Sequence, residues 1–328
     1  MNYPELKDKN SKFLVTGAAG FIGVNISLKL IELGQSVVAL DDLSTGKQEN
    51  IDMIATAAGS SGSFRFINGD IRDRAVCTVA MAGVDYVMHQ AALGSVPRSI
   101  NDPVTSTEVN LMGTVNMLTA AKEHKVSKFV YASSSSVYGD APALPKVEGN
   151  EGTTLSPYAA GKLCDEIFAA NFHRVYGLPV VGLRYFNIFG PMQDTESAYA
   201  AVIPIFVKEL LAGRAPTING DGETSRDFTF VDNAVQANIK AALSSDKASG
   251  RSFNIACGRR ATLNELYKKI AALLGKDTAP VYAVERPGDV RHSLADITLA
   301  RTLMGYEPDV DFERGLELSI EWYKDALG

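Results

Sequence analysis

Cysteine is scarce in this chain of 328 residues: Cys77, Cys164 and Cys257 stand far apart and form no C-x-x-C pair. That argues against a disulfide scaffold and a cysteine zinc site, and it fits a reducing compartment, the cytoplasm. The four histidines, His89, His124, His173 and His292, show no metal-ligand spacing, so no metal is expected. Hydrophobic runs are short. None reaches about 18 residues, so no membrane span is expected, and residues 1–12 are too polar for the apolar centre of a leader peptide. Positive charge is not in surplus: 32 Lys and Arg face 38 Asp and Glu, a net charge of −6. A broad nucleic-acid-binding surface is not expected, and an anionic ligand must be met by a few local arginines. The single tryptophan, Trp322, reads as packing rather than as a stacking platform.

What is present is an ordinary globular composition, 46% hydrophobic and 21% charged, in a chain long enough for a large core and two lobes. Up to about residue 187, strand-like and helix-like segments alternate. Residues 13–16, 36–40, 64–68, 84–88, 128–133 and 180–185 read as strands. Ile22, Ile26, Leu30 and Leu33 recur at helical spacing with Gly34 as a stop, and residues 103–124 and 157–176 read as long helices. This alternation predicts an α/β fold: a Rossmann-type doubly wound parallel sheet with helices on both faces. Beyond residue 187, glycine and proline punctuate more often, which predicts a smaller α/β substrate-binding lobe. The expected division is 1–187 and 188–328, with some later segments returning to the first lobe. Residues 55–63 (ATAAGSSGS) read as a flexible surface loop.

Two short motifs carry the chemistry. The first is Gly17-Ala18-Ala19-Gly20-Phe21-Ile22-Gly23, directly after an apolar strand. Gly17 permits a tight turn, Gly20 lets the backbone approach a pyrophosphate, and Gly23 lets the following helix pack close to the sheet. The amides of the first turn, at Phe21 and Ile22, and the helix dipole favour the bound anion. Asp41 stands 18 residues beyond Gly23, at the end of the second strand, where a carboxylate accepts from ribose hydroxyls and repels a 2′-phosphate. The expected cofactor is therefore NAD. The competing reading of Asp41-Asp42 is a loop cap. Asp70, with Ile71 beside it after the third strand, is placed either to meet the adenine or to close an Asx-turn.

The second motif is Tyr158-Ala159-Ala160-Gly161-Lys162. Residues four apart on a helix lie one above the other, so Lys162 sets a cation beside the Tyr158 phenol and equips it as a base. Ser134, at the carboxyl end of the fifth strand, can hydrogen-bond the reacting oxygen. His89, just after the fourth strand, reads as a satisfied, packed histidine.

The ordered motifs TGAAGFIG, HQAA, YASSSSVYG, YAAGK, RYFNIFGP and RDFTFVDN span nearly the whole chain. Together they resemble the extended short-chain dehydrogenases/reductases of the nucleotide-sugar epimerase type. AALGSVPRS (91–99), NGDGETSRDF (219–228) and RPGDVRHS (286–293) resemble, more narrowly, the bacterial UDP-N-acetylglucosamine 4-epimerases. The resemblance implies bound NAD and a UDP-sugar substrate. Tyr158 would take the proton from the sugar O4 while C4 gives its hydride to NAD. The 4-keto sugar would then turn and be reduced on its other face. Lys162 would also hold the nicotinamide ribose. Asn187 would lie near the diphosphate, Arg226 and Arg286 would pair with its phosphates, and Arg291 is left without a role. Gly94, Ser95, Ser134, Ser135 and Gln193 match sugar-side positions. Ser293 matches a gate beside the sugar 2-substituent, where a small residue leaves space for an N-acetyl group.

Family dehydratases place Thr-Asp-Glu where this chain has Ser134, Ser135 and Ser136, which disfavours 4,6-elimination. Similar enzymes pair through helices corresponding to 103–124 and 157–176, so a homodimer is expected. A UDP-glucuronate 4-epimerase is the second enzyme reading. It needs a cation facing the sugar carboxylate, and none is assignable. A regulator that binds NAD without turnover is a reading of another class. Such modules commonly lose the Tyr or the Lys, whereas this chain keeps Ser134, Tyr158 and Lys162.

Overall fold

Strand β1 (Lys12–Thr16) buries Phe13, Leu14 and Val15 completely, as a strand covered on both faces must. Phe13 and Val15 face one core cluster and Leu14 the opposite one, following the two-residue period of a strand. The structure is a computed structural model that describes residues 3–7, 9–60, 62–195, 201–285 and 291–327. After β1 come α1 (Phe21–Glu32), β2 (Ser36–Asp41), α2 (Gln48–Ala58), β3 (Phe64–Asn68), α3 (Arg74–Ala80) and β4 (Tyr86–His89). Next are α4 (Val96–Asn101), α5 (Pro103–Thr107), a π-helical turn (Glu108–Met112) and α6 (Gly113–His124). Then β5 (Lys128–Ser134), α7 (Pro157–Tyr176) and β6 (Val180–Tyr185) complete the first half.

The second half holds β7 (Ile188–Phe189), α8 (Val202–Leu211), β8 (Thr217–Asn219), β9 (Ser225–Arg226), β10 (Thr229–Phe230) and α9 (Val231–Leu243). It continues through β11 (Arg251–Ile255), β12 (Ala261–Thr262), α10 (Leu263–Leu274), β13 (Val281–Ala283), α11 (Thr298–Met304) and α12 (Phe312–Leu327).

Among the described residues, seven strands form one parallel sheet in the order β11-β6-β5-β4-β1-β2-β3. Residues of α1, α9 and α11 join the core on one face, and residues of α3, α6 and α7 join that on the other, so the sheet is doubly wound. The order reverses between β1 and β4. In open α/β sheets the crevice at that reversal, outside the carboxyl ends of the strands, is where ligands bind. Strand β11 and helix α9 come from the second half of the chain yet pack on the large sheet. A third cluster, built on Phe189, Phe228, Phe230 and Phe312, gathers α8, α10 and α12 into the smaller lobe.

Two details differ from the sequence reading. Residues 55–58 are not loop; they complete α2, whose Ile51, Ile54 and Ala58 are buried at helical spacing. Alanine's helix preference and that buried stripe outweigh the flexible composition that begins only at Gly59. The run 103–124 is not one regular helix. Its π-helical turn carries Asn110, whose amide accepts from Leu93 N–H at 2.7 Å and donates to Leu93 O at 3.2 Å. No described helix is long and apolar enough to cross a membrane.

Candidate active site

The glycine turn lies at the sheet reversal. Gly17 has φ +65°, and a Cβ there would stand 2.7 Å from Ala91 N, so the β1 turn and the end of β4 touch backbone to backbone. A Cβ at Gly23 would come within 2.0 Å of Gly17 O. Gly20 is the N-cap of α1 and brings no side chain to the first-turn amides, which are left pointing outward as anion donors. The turn is held from behind: Asn50 Nδ2 and Lys47 N–H both donate to Ala19 O, at 2.7 and 3.1 Å.

An open cleft of about 550 Å³ runs from this turn along the strand ends, past Gly17, Gly20, Asp41, Asp70, Ile71 and Gln90. Asp41 accepts from Ala19 N–H (2.9 Å) and Leu43 N–H (2.8 Å), and burial pushes its carboxyl above the usual range against those amides. Asp70 does close an Asx-turn, accepting from Arg72 N–H at 2.7 Å, and it also lines the cleft. The Arg72 guanidinium pairs with it at 2.6 Å and holds it below the usual carboxylate range. Ile71 packs against Gly113. A narrow glycine cradle, free helix amides and a carboxylate at the second strand fit a dinucleotide.

Beside the cleft, β5 ends at Ser134, whose Oγ takes hydrogen bonds from Ser136 N–H (3.1 Å) and the Ser136 hydroxyl (2.9 Å). Helix α7 starts at the Ser156 cap, followed by Pro157 at the first helical position. That start places Tyr158 half-buried, its backbone N–H donating to Ser99 Oγ at 3.0 Å. One turn on, Lys162 is buried, and its ammonium donates to Ala132 O at 2.9 Å and lies 3.3 Å from Asp165. His89 is satisfied at both nitrogens: Nδ1 lies 2.7 Å from Thr16 Oγ1 and Nε2 lies 3.0 Å from Thr114 Oγ1. Thr114 gives its proton to Asn110 O at 2.6 Å, so His89 donates through Nε2 and accepts at Nδ1. Burial, helped by the Lys162 charge, pushes His89 down to about 3, so it stays neutral.

The smaller lobe holds an open pocket lined by Asn187, Phe189, Thr217, Asn219, Arg226 and Phe228 among others. Asn187 adopts φ +39° and donates to Asp227 O at 3.3 Å. Ser293 is half-buried, and its N–H joins Ser225 O at 3.0 Å, beside Arg226. Arg291 is ion-paired with Asp221 at 2.8 Å. Gly94 is exposed, and Ser95 caps α4. The Gln193 amide is engaged within the protein: it accepts from Tyr323 OH at 2.9 Å and donates to Ile188 O at 3.3 Å. Arg286 lies outside the described residues.

Several supporting residues escaped the sequence reading. Asp227 is fully buried and accepts from the backbone N–H groups of Cys257, Gly258 and Ala295 at 3.0, 3.1 and 3.2 Å. It ties the Arg226 strand to two distant loops, and burial pushes it up to about 7. Arg184 grips Glu166 with two hydrogen bonds of 2.9 and 2.6 Å and also pairs with Glu151, locking β6 to α7. Gln90, which lines the cleft, closes a hydrogen-bonded triangle with Tyr185 and Asn238. Arg184 is the first residue of RYFN and Asp227 the second of RDF, and that membership was their signal in the sequence. Among the described residues no group of three or more His, Cys, Asp or Glu is placed to hold a metal ion.

A sheet reversal of this build, with a Tyr–Lys helix packed on β5 and a second pocket in the smaller lobe, defines an enzyme that works with a bound dinucleotide. The chain belongs to the NAD dependent epimerase/dehydratase family, which matches residues 13–256, and NAD is its cofactor. It is 38% identical over 314 residues to a UDP-glucose 4-epimerase of Mycolicibacterium smegmatis, covering 95% of this chain and 98% of that one. Among solved structures it is similar to a UDP-N-acetylglucosamine 4-epimerase from Methanobrevibacter ruminantium in complex with UDP-N-acetylmuramic acid. There the TM-score is 0.91 and the identity 39%, over 97% of this chain and 99% of that one. It is also similar to a UDP-glucuronic acid 4-epimerase from Bacillus cereus in complex with UDP-glucuronic acid and NAD, with TM-score 0.87 and 31% identity over 96% and 99%.

Proposed function

We propose that the protein inverts C4 of a UDP-hexose, interconverting UDP-GlcNAc and UDP-GalNAc and, with them, UDP-glucose and UDP-galactose. The observation that carries this is the half-buried Tyr158 one helical turn from the buried Lys162, whose ammonium donates to Ala132 O, two residues before Ser134 at the carboxyl end of β5. NAD, when bound, supplies a reversible hydride acceptor. Gly17, Gly20, Gly23, Asp41, Asp70 and Ile71 would hold it. Tyr158 takes the O4 proton and later returns it, Lys162 supplies the positive field, and Ser134 with Ser135 orients the oxygen. Arg226 and Asn187 hold the diphosphate in the pocket of the smaller lobe, since a guanidinium fork matches phosphate oxygens. Three UDP-sugars incubated separately without reductant, UDP-GlcNAc, UDP-glucose and UDP-glucuronate, test the reading by proton NMR. C4 inversion of the first two is expected, and inversion of none of them overturns it.

The acetylated substrate rests on Ser293. Ser293→Tyr is expected to slow the acetylated pair at least about tenfold more than the plain pair, the scale on which pocket sterics discriminate. Equal losses, read as the ratio of kcat/KM values, would remove the gate.

The protein is proposed to act as a homodimer. Ile100, Val104 and Met112 on one side and Ile167, Phe168, Val175 and Tyr176 of α7 on the other are exposed apolar residues on helices that pack together. A patch of this kind is what association buries. Sedimentation at micromolar protein is expected to show a dimer that Phe168→Glu splits; a monomeric wild type would refute it.

A further inference from the structure

Asp165 is 1% exposed, three residues beyond Lys162, and nothing in the reaction above uses it. Its Oδ2 lies 3.3 Å from Lys162 Nζ. Its Oδ1 accepts no hydrogen bond among the described residues. The Thr114 hydroxyl of α6 stands beside the carboxylate, but its one proton goes to Asn110 O at 2.6 Å. Glu166 on the same helix and the buried Tyr131 hydroxyl of β5 also face it, and His89 of β4 stands beyond Lys162. Among these, only Lys162 is a cation. A buried carboxylate with one unserved oxygen is unfavourable. Burial outweighs even the Lys162 charge and pushes Asp165 up to about 6. An alanine would fill the place without that penalty, so packing does not explain the charge.

We propose that Asp165 is a positioning residue for the Tyr158–Lys162 pair: its carboxylate is the buried counter-charge that, with Ala132 O, fixes the Lys162 ammonium and limits how strongly that ammonium stabilises the Tyr158 phenolate. This rests on the reading of Tyr158 as the base. The Lys162 ammonium has two partners, Ala132 O from β5 and Asp165 from α7, and only the remainder of its field reaches the phenolate side. Weakening the Asp165 contact strengthens that remainder.

Asp165→Asn keeps the shape and removes the charge. With the Lys162 field undiluted, the acid limb of the kcat/KM against pH profile is expected to move to lower pH by about one pH unit, the scale of a nearby unit charge at an effective dielectric of about 20. KM for the UDP-sugar is expected to stay within about twofold. Asp165→Glu, which restores a carboxylate, is expected to move the limb back. Should the Asn variant fail to fold, Asp165→Ser carries the same expectation.

A second readout needs no turnover. A raised folded-state value means that wild type loses stability as pH rises from about 4, the unfolded carboxylate value, through about 6. The Asn variant lacks that loss, so its urea midpoint is expected to gain on wild type across this window. A superimposable pH–rate profile, or a midpoint difference that does not change with pH, overturns the proposal. Tyr158→Phe run alongside separates the failures. If it turns over normally, both readings fall; if it is inactive while the Asn profile is unmoved, only this one falls.

Discussion

Tyr158→Phe is expected to fold, retain NAD and epimerise UDP-sugar at least about a thousandfold more slowly than wild type, within the range that a lost general acid–base supports. The phenyl ring keeps the half-buried packing of the side chain, and the contact that anchors this turn is a backbone one, Tyr158 N–H to Ser99 Oγ at 3.0 Å, which the substitution leaves intact. Only the oxygen is lost. In the proposed reaction one oxygen serves both half-reactions, first accepting the O4 proton and then returning it, so its loss is expected to be felt in both directions. Ser134 is the other candidate, but its Oγ already accepts from Ser136 N–H and from the Ser136 hydroxyl. Initial rates by proton NMR and NAD released on acid extraction are the measurements. Undiminished turnover, or loss of NAD along with activity, would contradict the assignment.

Gly23→Ala sets two effects against each other. Helix propensity favours alanine by about 1 kcal/mol inside α1. The new methyl, however, would stand 2.0 Å from Gly17 O and 2.7 Å from Gly17 C, both backbone atoms that cannot swing aside. Overpacking of this kind typically destabilises by about 1–3 kcal/mol, occasionally more. The steric effect wins. Relief requires α1 to lift off the turn, which moves the first-turn amides away from the pyrophosphate position. The expected result is a protein purified without NAD, with a melting temperature several degrees lower. Gly161→Ala is the control: it is helical, a Cβ there meets nothing within 4 Å, and its melting temperature is expected to hold or rise. A Gly23→Ala protein that retains NAD and stability would show that the close approach is not required.

The parts of the fold legible in the sequence are those written in local spacing. The strand ending at Tyr185 and the helix ending at Tyr176 coincide with the sequence reading, because periodicity and the glycine that follows α7 mark them. The Gly17–Gly23 turn is legible because each glycine answers a local steric demand. Residues 55–58 were hidden by the Gly- and Ser-rich composition of GSSGS that follows, although they form the last turn of α2 and Ala58 is buried. The π-helical turn at Asn110 could not be seen, since its hydrogen bonds run to Leu93 on a separate loop. Asp227 and Asp165 look like surface aspartates in the sequence. Their burial is set by partners that tertiary packing brings: Cys257, Gly258 and Ala295 for the first, Thr114 and Tyr131 for the second.

The central claim is that C4 is oxidised and reduced again within one closed site, with the electrons kept on a dinucleotide that does not leave. UDP-GlcNAc carrying deuterium at C4 tests it most directly. The account predicts that the epimeric product, read by proton NMR and mass spectrometry, keeps the deuterium at C4, with none passed to water or to added NAD. Label lost to solvent, or C4 inversion that proceeds in protein shown to hold no dinucleotide, would contradict it.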